Sequence, residues 1–288
     1  MLGNLIGVLF DGVAYGSLLF VISIGLSVTM GLMNFVNLAH GAFAMVGGYA
    51  VVLMMTRLGV PFLAALPVAF VAAALAGAVL ERLLYRRLYR ASHLDQVLFS
   101  IGLVFMSIAA ATKLFGSQQQ PVALPAFLRG QVHVLGLDLG SYRLFLIAVV
   151  IVITLALTWL IERTRFGAEI RASVDNQQAS VGLGINVYRV FSLTFALGSG
   201  LAGLGGALGI DVLGLDPTFP LKYMVYFLLV VAVGGAGTIK GPLLAALILG
   251  VFDVAGKYYV PQIGAFIIYF VMVAMLLAFP RGVLGKRG

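Results

Sequence analysis

The sequence predicts an all-α protein, a polytopic transmembrane helical bundle with about eight or nine membrane segments, some of them broken or re-entrant. Three observations predict this class. Only 10% of the 288 residues are charged, whereas a soluble domain carries about a quarter. Mean hydropathy is +1.11, and apolar runs recur along the whole chain. Glycine is abundant, as is common where membrane helices pack closely. We therefore expect one membrane domain over 1–288 and no separate soluble domain.

The apolar runs justify the segment count. Nine can be distinguished: Leu5–Met30, Ala42–Met55, Pro61–Leu80, Val97–Ala111, Leu144–Leu160, Val190–Gly209, Tyr223–Val233, Leu243–Val254 and Ile263–Phe279. A spanning helix needs about 17–25 residues, so several are full spans. The second, seventh and eighth are short and have glycines in or beside them, which is typical of broken or re-entrant helices. Gly116–Ser141 has two prolines and few apolar anchors, and predicts a loop.

Basic residues assign the sides of the membrane. The segments Glu81–Asp95 and Glu162–Arg189, together with the tail after Phe279, hold 11 of the 18 lysines and arginines. Because cytoplasmic loops carry such an excess, we expect all three in the cytoplasm. This placement explains the net charge of +8 without nucleic acid as a partner. The side of the N-terminus stays open, because the second segment can be read as a span or as re-entrant.

A polar stretch of 28 residues, Glu162–Arg189, interrupts the apolar pattern. Small and acidic side chains recur within it at spacings of four, three and four, at Ala168, Ala172, Asp175 and Ala179. This spacing predicts one face of a short helix, which we expect Gly182 and Gly184 to end. A short helix with a small, flat face at the membrane surface suits a groove on a soluble partner. The pattern favours a membrane protein driven by another protein.

Polar side chains beside glycines mark a first interrupted place, residues 31–41, which read GLMNFVNLAHG. Asn34, Asn37 and His40 are three residues apart, and on a helix they would lie roughly along one face. Polar groups at membrane depth are costly unless they pair or face a cavity. One explanation is a broken helix whose polar residues, with Gly41, line a translocation path. The other is hydrogen bonding to neighbouring helices.

A second interrupted place is 233–242, which reads VGGAGTIKGP. Gly234, Gly235 and Gly237 allow backbone geometry that other residues resist. A contribution to the substrate path and a tight turn between packed helices both remain open. Interrupted segments in both halves of the chain suggest an internal repeat, as in many transporters.

Three further features bear on the choice of function. Small residues recur at helical spacing in one apolar segment and predict a close-packing face: Gly198, Ala202, Gly205 and Gly209. Asp11 and Asp253 lie in or near apolar segments, where they either pair within the bundle or serve as proton sites of an ion-coupled secondary transporter. The sequence has neither HExxH nor GxSxG and only three dispersed histidines, so we expect no enzyme activity and no metal site.

Several of these stretches, in this order, resemble the permease subunits of branched-chain amino acid ABC importers, of the leucine/isoleucine/valine type. The resemblance rests on GLMNFVNLAHGAFAMVGGYA at 31–50, ERLLYRRL at 81–88, RFGAEIRASVDNQQASVGLGIN at 165–186, VGGAGTIKGP at 233–242 and FPRGVLG at 279–285. It covers nearly the whole chain. The family often has Phe at the position of Leu38 and Gly at the positions of Ala245 and Ala246, departures that weaken only a claim about substrate.

The resemblance implies a permease domain over 1–288 in the bacterial cytoplasmic (inner) membrane. It would pair with a second homologous permease subunit, two cytoplasmic ATPase subunits and an external solute-binding protein, and import branched-chain amino acids or related small polar solutes. The chain itself would bind no cofactor, and the partner subunits would use ATP. The loop 162–189 would hold the helix that docks on the ATPase, with these residues in the coupling contact: Arg165, Gly167, Arg171, Ala172, Asp175, Ala179, Gly182 and Gly184.

Overall fold

The computed structural model describes residues 2–33, 35, 37–89, 91–134, 137–279 and 282–283. Within these ranges, nine apolar helices match the nine predicted segments: α1 Leu2–Met33, α2 His40–Leu58, α3 Phe62–Leu83, α4 His93–Phe115, α5 Ser141–Arg163, α8 Val187–Leu213, α9 Phe219–Gly234, α10 Lys240–Tyr259 and α11 Gly264–Ala278. Two short helices lie between α5 and α8, namely α6 Arg165–Asp175 and α7 Gln177–Gly182. The predicted helical membrane bundle is confirmed.

The membrane segments differ in length from the apolar runs. In the described part of the chain, seven helices are long and apolar enough to cross a membrane, and α9 and α11 are shorter, with 16 and 15 residues. The second and eighth segments are longer than predicted, because α2 begins at His40 and α10 at Lys240, polar residues beyond the apolar runs. Both are therefore candidate spans. Of the three segments that were predicted to be short, only the seventh, α9, is short in the structure.

One element departs from an all-α fold. Strands β1 Gln131–Val134 and β2 Leu137–Gly140 form an antiparallel hairpin with His133 opposite Asp138. The hairpin lies in the stretch between α4 and α5 that the prolines predict to be a loop, and it leads directly into α5. The prediction that this stretch does not span the membrane is unaffected.

Helix α8 forms the centre of the bundle, and α1, α2 and α3 pack around it. Its small residues are buried where the spacing predicts a close-packing face. A Cβ placed on Gly198 would lie 2.8 Å from the Gly25 carbonyl oxygen, and one on Gly205 would lie 2.8 Å from the Ile22 nitrogen. Backbones approach this closely only where side chains are absent. The contacts also show that α1 and α8 run antiparallel.

The helix packing of the two halves has the pattern of an inverted repeat. The most extensive helix pairs are α3 with α8 and α1 with α10, and α1 with α8 and α2 with α9 also pack together. Exchanging α1, α2 and α3 for α8, α9 and α10 reproduces these pairs. Glycine contacts match as well: Gly77 of α3 lies against Ser199 of α8, and Gly250 of α10 lies against Gly16 of α1. Since α1 and α8 are antiparallel, the repeats have opposite orientation, an arrangement common in transporters.

The basic loops lie at one end of the bundle. Arg86, after α3, donates to Ser192 near the start of α8 (3.2 Å), and the Val283 amide donates to the Val233 carbonyl (2.8 Å) beside the end of α1. Helix α1 has 32 residues and extends about 48 Å, so its N-terminus lies at the opposite end. The expectation that the basic loops are cytoplasmic therefore predicts that α1 begins on the outer side of the membrane.

Candidate functional site

The two interrupted places meet in space. The Gly237 amide donates to the Ser27 carbonyl (2.9 Å), and the Ser27 hydroxyl donates to the Thr238 carbonyl (3.1 Å). A Cβ placed on Gly31 would lie 2.0 Å from the Gly237 Cα. Gly237 has φ of 81°, a left-handed conformation that glycine adopts without strain. The end of α1 and the connection between α9 and α10 are therefore in direct backbone contact, and we call this contact the glycine junction.

The glycine junction also receives the C-terminal segment. Gly235 ends α9 with φ of 87°, and a Cβ on Gly282 would lie 2.9 Å from the Gly235 Cα. A Cβ on Gly241, at the start of α10, would lie 1.9 Å from the Gly234 carbonyl oxygen. The glycines of 233–242 thus make a tight turn between packed helices. Their contribution to a substrate path stays a prediction.

Asn37 lies between α1 and α2 and is buried. Its Oδ1 accepts a hydrogen bond from the Ala39 amide (3.0 Å) and another from the Tyr85 hydroxyl (2.9 Å). Burial raises the pKa of Tyr85 well above its ordinary value, so the phenol stays protonated and donates at physiological pH. The Asn37 amide oxygen therefore joins this connection to the segment that follows α3.

His40 is the first residue of α2 and is also buried. Its Nε2 lies 2.8 Å from the Ile22 carbonyl oxygen, so Nε2 carries the proton in this contact. Its ring meets the edge of Phe227, with centroids 6.4 Å apart, and a Cβ on Gly41 would lie 2.9 Å from the Pro220 Cα. The first turns of α2 and α9 therefore meet inside the bundle, at the level of the middle of α1.

Asn37 and His40 do not lie on one helical face. Asn37 belongs to no helix or strand and His40 begins a new helix, because the chain turns back into the bundle between α1 and α2. Asn34 lies outside the described residues. Tyr85 and Ser27 are polar partners that sequence reasoning missed, and neither has a local signal, since Tyr85 lies in an arginine-rich run and Ser27 in an apolar helix.

An apolar cleft of about 220 Å³ lies beside these residues, between α2, α3 and α4. Ala39 and Ala42, which flank His40 and Gly41, line one wall, and Tyr85 lies at one end. The remaining lining is mostly aliphatic: Val46, Ala76, Leu80, Leu103 and Met106, with Phe43 and Ser107.

The polar loop folds against the end of α5. The Thr164 hydroxyl caps α6 by accepting from the Gly167 amide (3.1 Å), and a Cβ on Gly167 would lie 2.2 Å from the Ile161 carbonyl oxygen. The Arg171 guanidinium donates to that same carbonyl. Gly167 and Arg171 therefore fix the position of α6, and Arg171 is engaged there rather than with Asp175.

The prediction that Ala168 and Ala179 lie on a single short helix is wrong, because the helix divides at Asn176. Asn176 has extended backbone (φ −152°, ψ 101°), and its side chain accepts from the Ala179 amide (2.9 Å) as the N-cap of α7. Asn is among the strongest N-cap residues, so α7 begins here as a separate helix. Gly182 ends α7, and Gly184 follows with φ of 82°, as predicted.

One side of α6 and α7 packs on the bundle and the other is exposed. Ile170 and Ser173 are buried, whereas Arg165, Ala168, Asp175 and Ala179 are exposed and Ala172 is half-buried. Apolar side chains are exposed on the same loop, with Val181 at 60% and Leu183 at 80%. We call the exposed residues of α6 and α7, with Leu183, the loop face. It is small, partly apolar and outside the membrane segments.

The two acids near apolar segments pair within the bundle. Asp11 of α1 bonds with Arg143 at the start of α5, and Asp253 of α10 lies 2.5 Å from Lys257 one turn later. The pairing alternative accounts for both. The described residues contain no group of three or more His, Asp or Glu side chains that could hold a metal ion.

Comparison with known proteins agrees with this architecture. The family described as branched-chain amino acid transport system, permease component, matches residues 8–276. The high-affinity branched-chain amino acid transport system permease protein BraD of Pseudomonas aeruginosa is 27% identical, over 96% of this chain and 95% of that protein. LivH of Salmonella typhimurium, a permease protein of the same printed description, is 29% identical over 96% and 94%.

A probable branched-chain amino acid transport permease protein, LivH of Methanocaldococcus jannaschii, is 26% identical over 96% of this chain and 92% of its own length. No solved structure matches the chain. The family match covers nearly the whole bundle, including the glycine junction and the polar loop. The chain therefore belongs to the family of permease components of branched-chain amino acid transport systems.

Proposed function

We propose that residues 1–288 form one permease domain of an ABC importer for branched-chain amino acids or related small polar solutes. It works with a second homologous permease subunit, two cytoplasmic ATPase subunits and an external solute-binding protein. The family and the seven candidate spans place the chain in the bacterial cytoplasmic (inner) membrane as a multi-pass protein. The family is one of transport permeases rather than enzymes. ATP is used by the partner subunits.

The observation that carries the proposal is the loop face. Leu183 is 80% exposed and Val181 60% exposed although both lie outside the membrane segments, where water would surround them in an isolated subunit. Exposed apolar side chains beside small residues are typical of a surface that a protein partner covers. Gly167 and Arg171 hold α6 against the end of α5, which gives a partner's movement a direct route into the bundle. The coupling loop within 162–189 is the segment that docks on the ATPase.

The substrate path runs beside the first turns of α2 and α9. Helices that begin inside a membrane bundle direct the positive ends of their dipoles toward anionic substrate groups, and an amino acid carries such a carboxylate. The aliphatic cleft between α2, α3 and α4 suits a branched side chain. Asn37, His40 and Gly41 border this region, and Gly234, Gly235 and Gly237 allow the glycine junction to move when the repeats rock. Asn34 is proposed for the same path from the sequence alone.

A secondary transporter driven by ions is not favoured. Such a mechanism needs ionisable or cation-coordinating groups near the middle of the membrane, and the two candidate acids have cationic partners, Arg143 for Asp11 and Lys257 for Asp253. The loop face has no evident use in that mechanism.

The experiment that tests this function is purification of the tagged subunit from its native host. We expect two ATPase subunits and a second permease subunit to co-purify. We also expect the purified subunit alone neither to hydrolyse ATP nor to accumulate substrate in vesicles, because it has no nucleotide-binding motif. The complex should do both when the binding protein and leucine are present. Hydrolysis by the isolated chain, lost on changes within that chain, would contradict the proposal.

Replacing Asn37 by leucine tests the path. We expect Asn37→Leu to reduce uptake while the complex still assembles, because a polar group beside the path is lost. The substitution also leaves the buried Tyr85 hydroxyl without its acceptor, at a cost of about 1–3 kcal/mol. Tyr85→Phe is the matched control, since it removes the same hydrogen bond and keeps the amide. If Asn37→Leu and Tyr85→Phe reduce uptake equally and lose the same thermal stability, Asn37 only stabilises the packing and has no role in the path.

A further inference from the structure

A second cleft lies at the cytoplasmic end of the bundle, and none of its lining residues belongs to the glycine junction or the loop face. It has a volume of about 370 Å³ and opens between the segment that follows α3 and the first turns of α8. Three of its six lining residues are arginines: Arg82, Arg86 and Arg189, with Asn186, Tyr188 and Ser192. We call it the arginine cleft.

The arginines of the cleft are only partly neutralised. Glu81 is completely buried beneath them, where it accepts from the Tyr89 hydroxyl (2.5 Å) and from Ser192 and lies 3.6 Å from Arg86. This carboxylate offsets one of the three positive charges. Within the described ranges, neither Arg82 nor Arg189 has a carboxylate within 4.0 Å. A net charge of about +2 therefore faces the cleft.

The lining of the cleft is ordered by its own contacts. The Arg86 guanidinium donates to the Ser192 hydroxyl (3.2 Å) and lies over the Tyr188 ring, 5.2 Å from its centroid. Ser192 in turn donates to the Glu81 carboxylate. These contacts hold Arg86 in one place before a ligand arrives, which lowers the entropic cost of binding.

An exposed apolar surface leads to the cleft. Leu75, Val79 and Leu83 recur every four residues on α3 and are 61%, 53% and 58% exposed, so they form one apolar row along that helix. Arg82 lies next to Leu83 in the last turn of α3, and Arg86 follows four residues after Arg82. A phospholipid has the same order of groups, acyl chains followed by a phosphate, and basic pockets at the cytoplasmic ends of membrane helices bind anionic headgroups.

We propose that the arginine cleft binds the phosphate of an anionic phospholipid from the cytoplasmic leaflet, with the acyl chains along Leu75, Val79 and Leu83. Guanidinium groups bind phosphate oxygens through paired N–H donors, and Arg82 and Arg189 provide the charge that is not neutralised. Arg86 orients the headgroup. The residues that line this site differ from those of the proposed substrate path and of the loop face, although Asn186, Tyr188 and Arg189 belong to the same polar stretch 162–189.

The test uses the whole complex, purified in detergent and titrated with phosphatidylglycerol, with bound lipid counted by native mass spectrometry. An arginine near a membrane surface contributes about fivefold to binding of anionic lipid, so the double variant Arg82→Gln, Arg189→Gln should bind phosphatidylglycerol about 25-fold more weakly. Arg87→Gln is the matched control, because Arg87 is exposed in the same segment but does not line the cleft. We expect it to bind like the wild type, and phosphatidylcholine to show no difference among the variants.

Three results would overturn the proposal. Equal weakening in Arg87→Gln would mean that general surface charge attracts the lipid. Displacement of bound phosphatidylglycerol by millimolar inorganic phosphate would identify a free anion as the ligand. Unchanged lipid binding with loss of the ATPase subunits from the double variant would assign the cleft to the protein partner. The melting temperature of the double variant is the control for folding. If it equals that of the wild type, a loss of bound lipid is caused by the changed cleft and not by unfolding.

Discussion

Replacing Gly31 by alanine is expected to prevent the subunit from folding, so that little of it is found in the membrane. Of the substitutions that add a single methyl group, we predict the largest effect for this one. The new Cβ would lie 2.0 Å from the Gly237 Cα and 2.3 Å from its nitrogen, and neither backbone atom can rotate away. Overpacking in a core ordinarily costs about 1–3 kcal/mol, and here the contact that joins the two repeats must separate. Quantitative blotting of membranes and thermal melting of the purified subunit measure the loss.

Gly7 in the same helix supplies the matched control. Nothing lies within 4 Å of a Cβ at Gly7, and alanine is a better helix former than glycine by about 0.5–1 kcal/mol. Gly7→Ala should therefore express and melt like the wild type or slightly better. If Gly31→Ala behaves like Gly7→Ala, the glycine junction is not a close backbone contact, and its assignment is wrong.

Replacing Ala172 by tryptophan is expected to abolish coupling to ATP hydrolysis while the subunit still folds and inserts. Ala172 is half-buried on α6 beside the loop face, and a docked interface tolerates added volume poorly. Pull-down of the ATPase subunits should fall at least tenfold, a change of about 1.4 kcal/mol in binding. Alternatively, binding persists and leucine-stimulated hydrolysis in proteoliposomes is lost. Both outcomes assign the contact to α6.

The control for this variant is Ala172→Ser, which keeps the side chain small and should retain binding and stimulation. Full binding and full stimulation by Ala172→Trp would place the contact elsewhere. The segment Glu81–Asp95 is then the next candidate, because it lies at the same end of the bundle.

The helices were predictable because their signals are local. A helix that crosses the membrane needs a long apolar run, because unpaired polar groups are costly in lipid. The nine apolar runs correspond to the nine apolar helices in the described ranges. The small-residue spacing at Gly198 and Gly205 predicts the packing face of α8, since a period of 3.6 residues determines which side chains share a face. Gly31 and the glycines at 234, 235 and 237 predict interruptions, which the structure has.

The contacts that join distant segments were not predictable. Asn37 and Tyr85 are 48 residues apart, and Ser27 and Thr238 are 211 apart. No periodicity in one sequence connects them. The break at Asn176 was missed because the alanine spacing continues through it, while the capping hydrogen bond to the Ala179 amide is the stronger local preference. The arginines after α3 indicate the side of the membrane, but not that they form a cleft with α8.

Crosslinking from the loop face tests most directly whether this loop couples the permease to an ATPase. The natural chain has no cysteine, so a single Ala179→Cys substitution carries a benzophenone maleimide at one defined place. We expect illumination of the assembled complex to join this subunit to an ATPase subunit, and Gln118→Cys at the opposite end of the bundle to give no such adduct. An ATPase adduct from Arg87→Cys in the Glu81–Asp95 segment, with none from Ala179→Cys, would contradict the account.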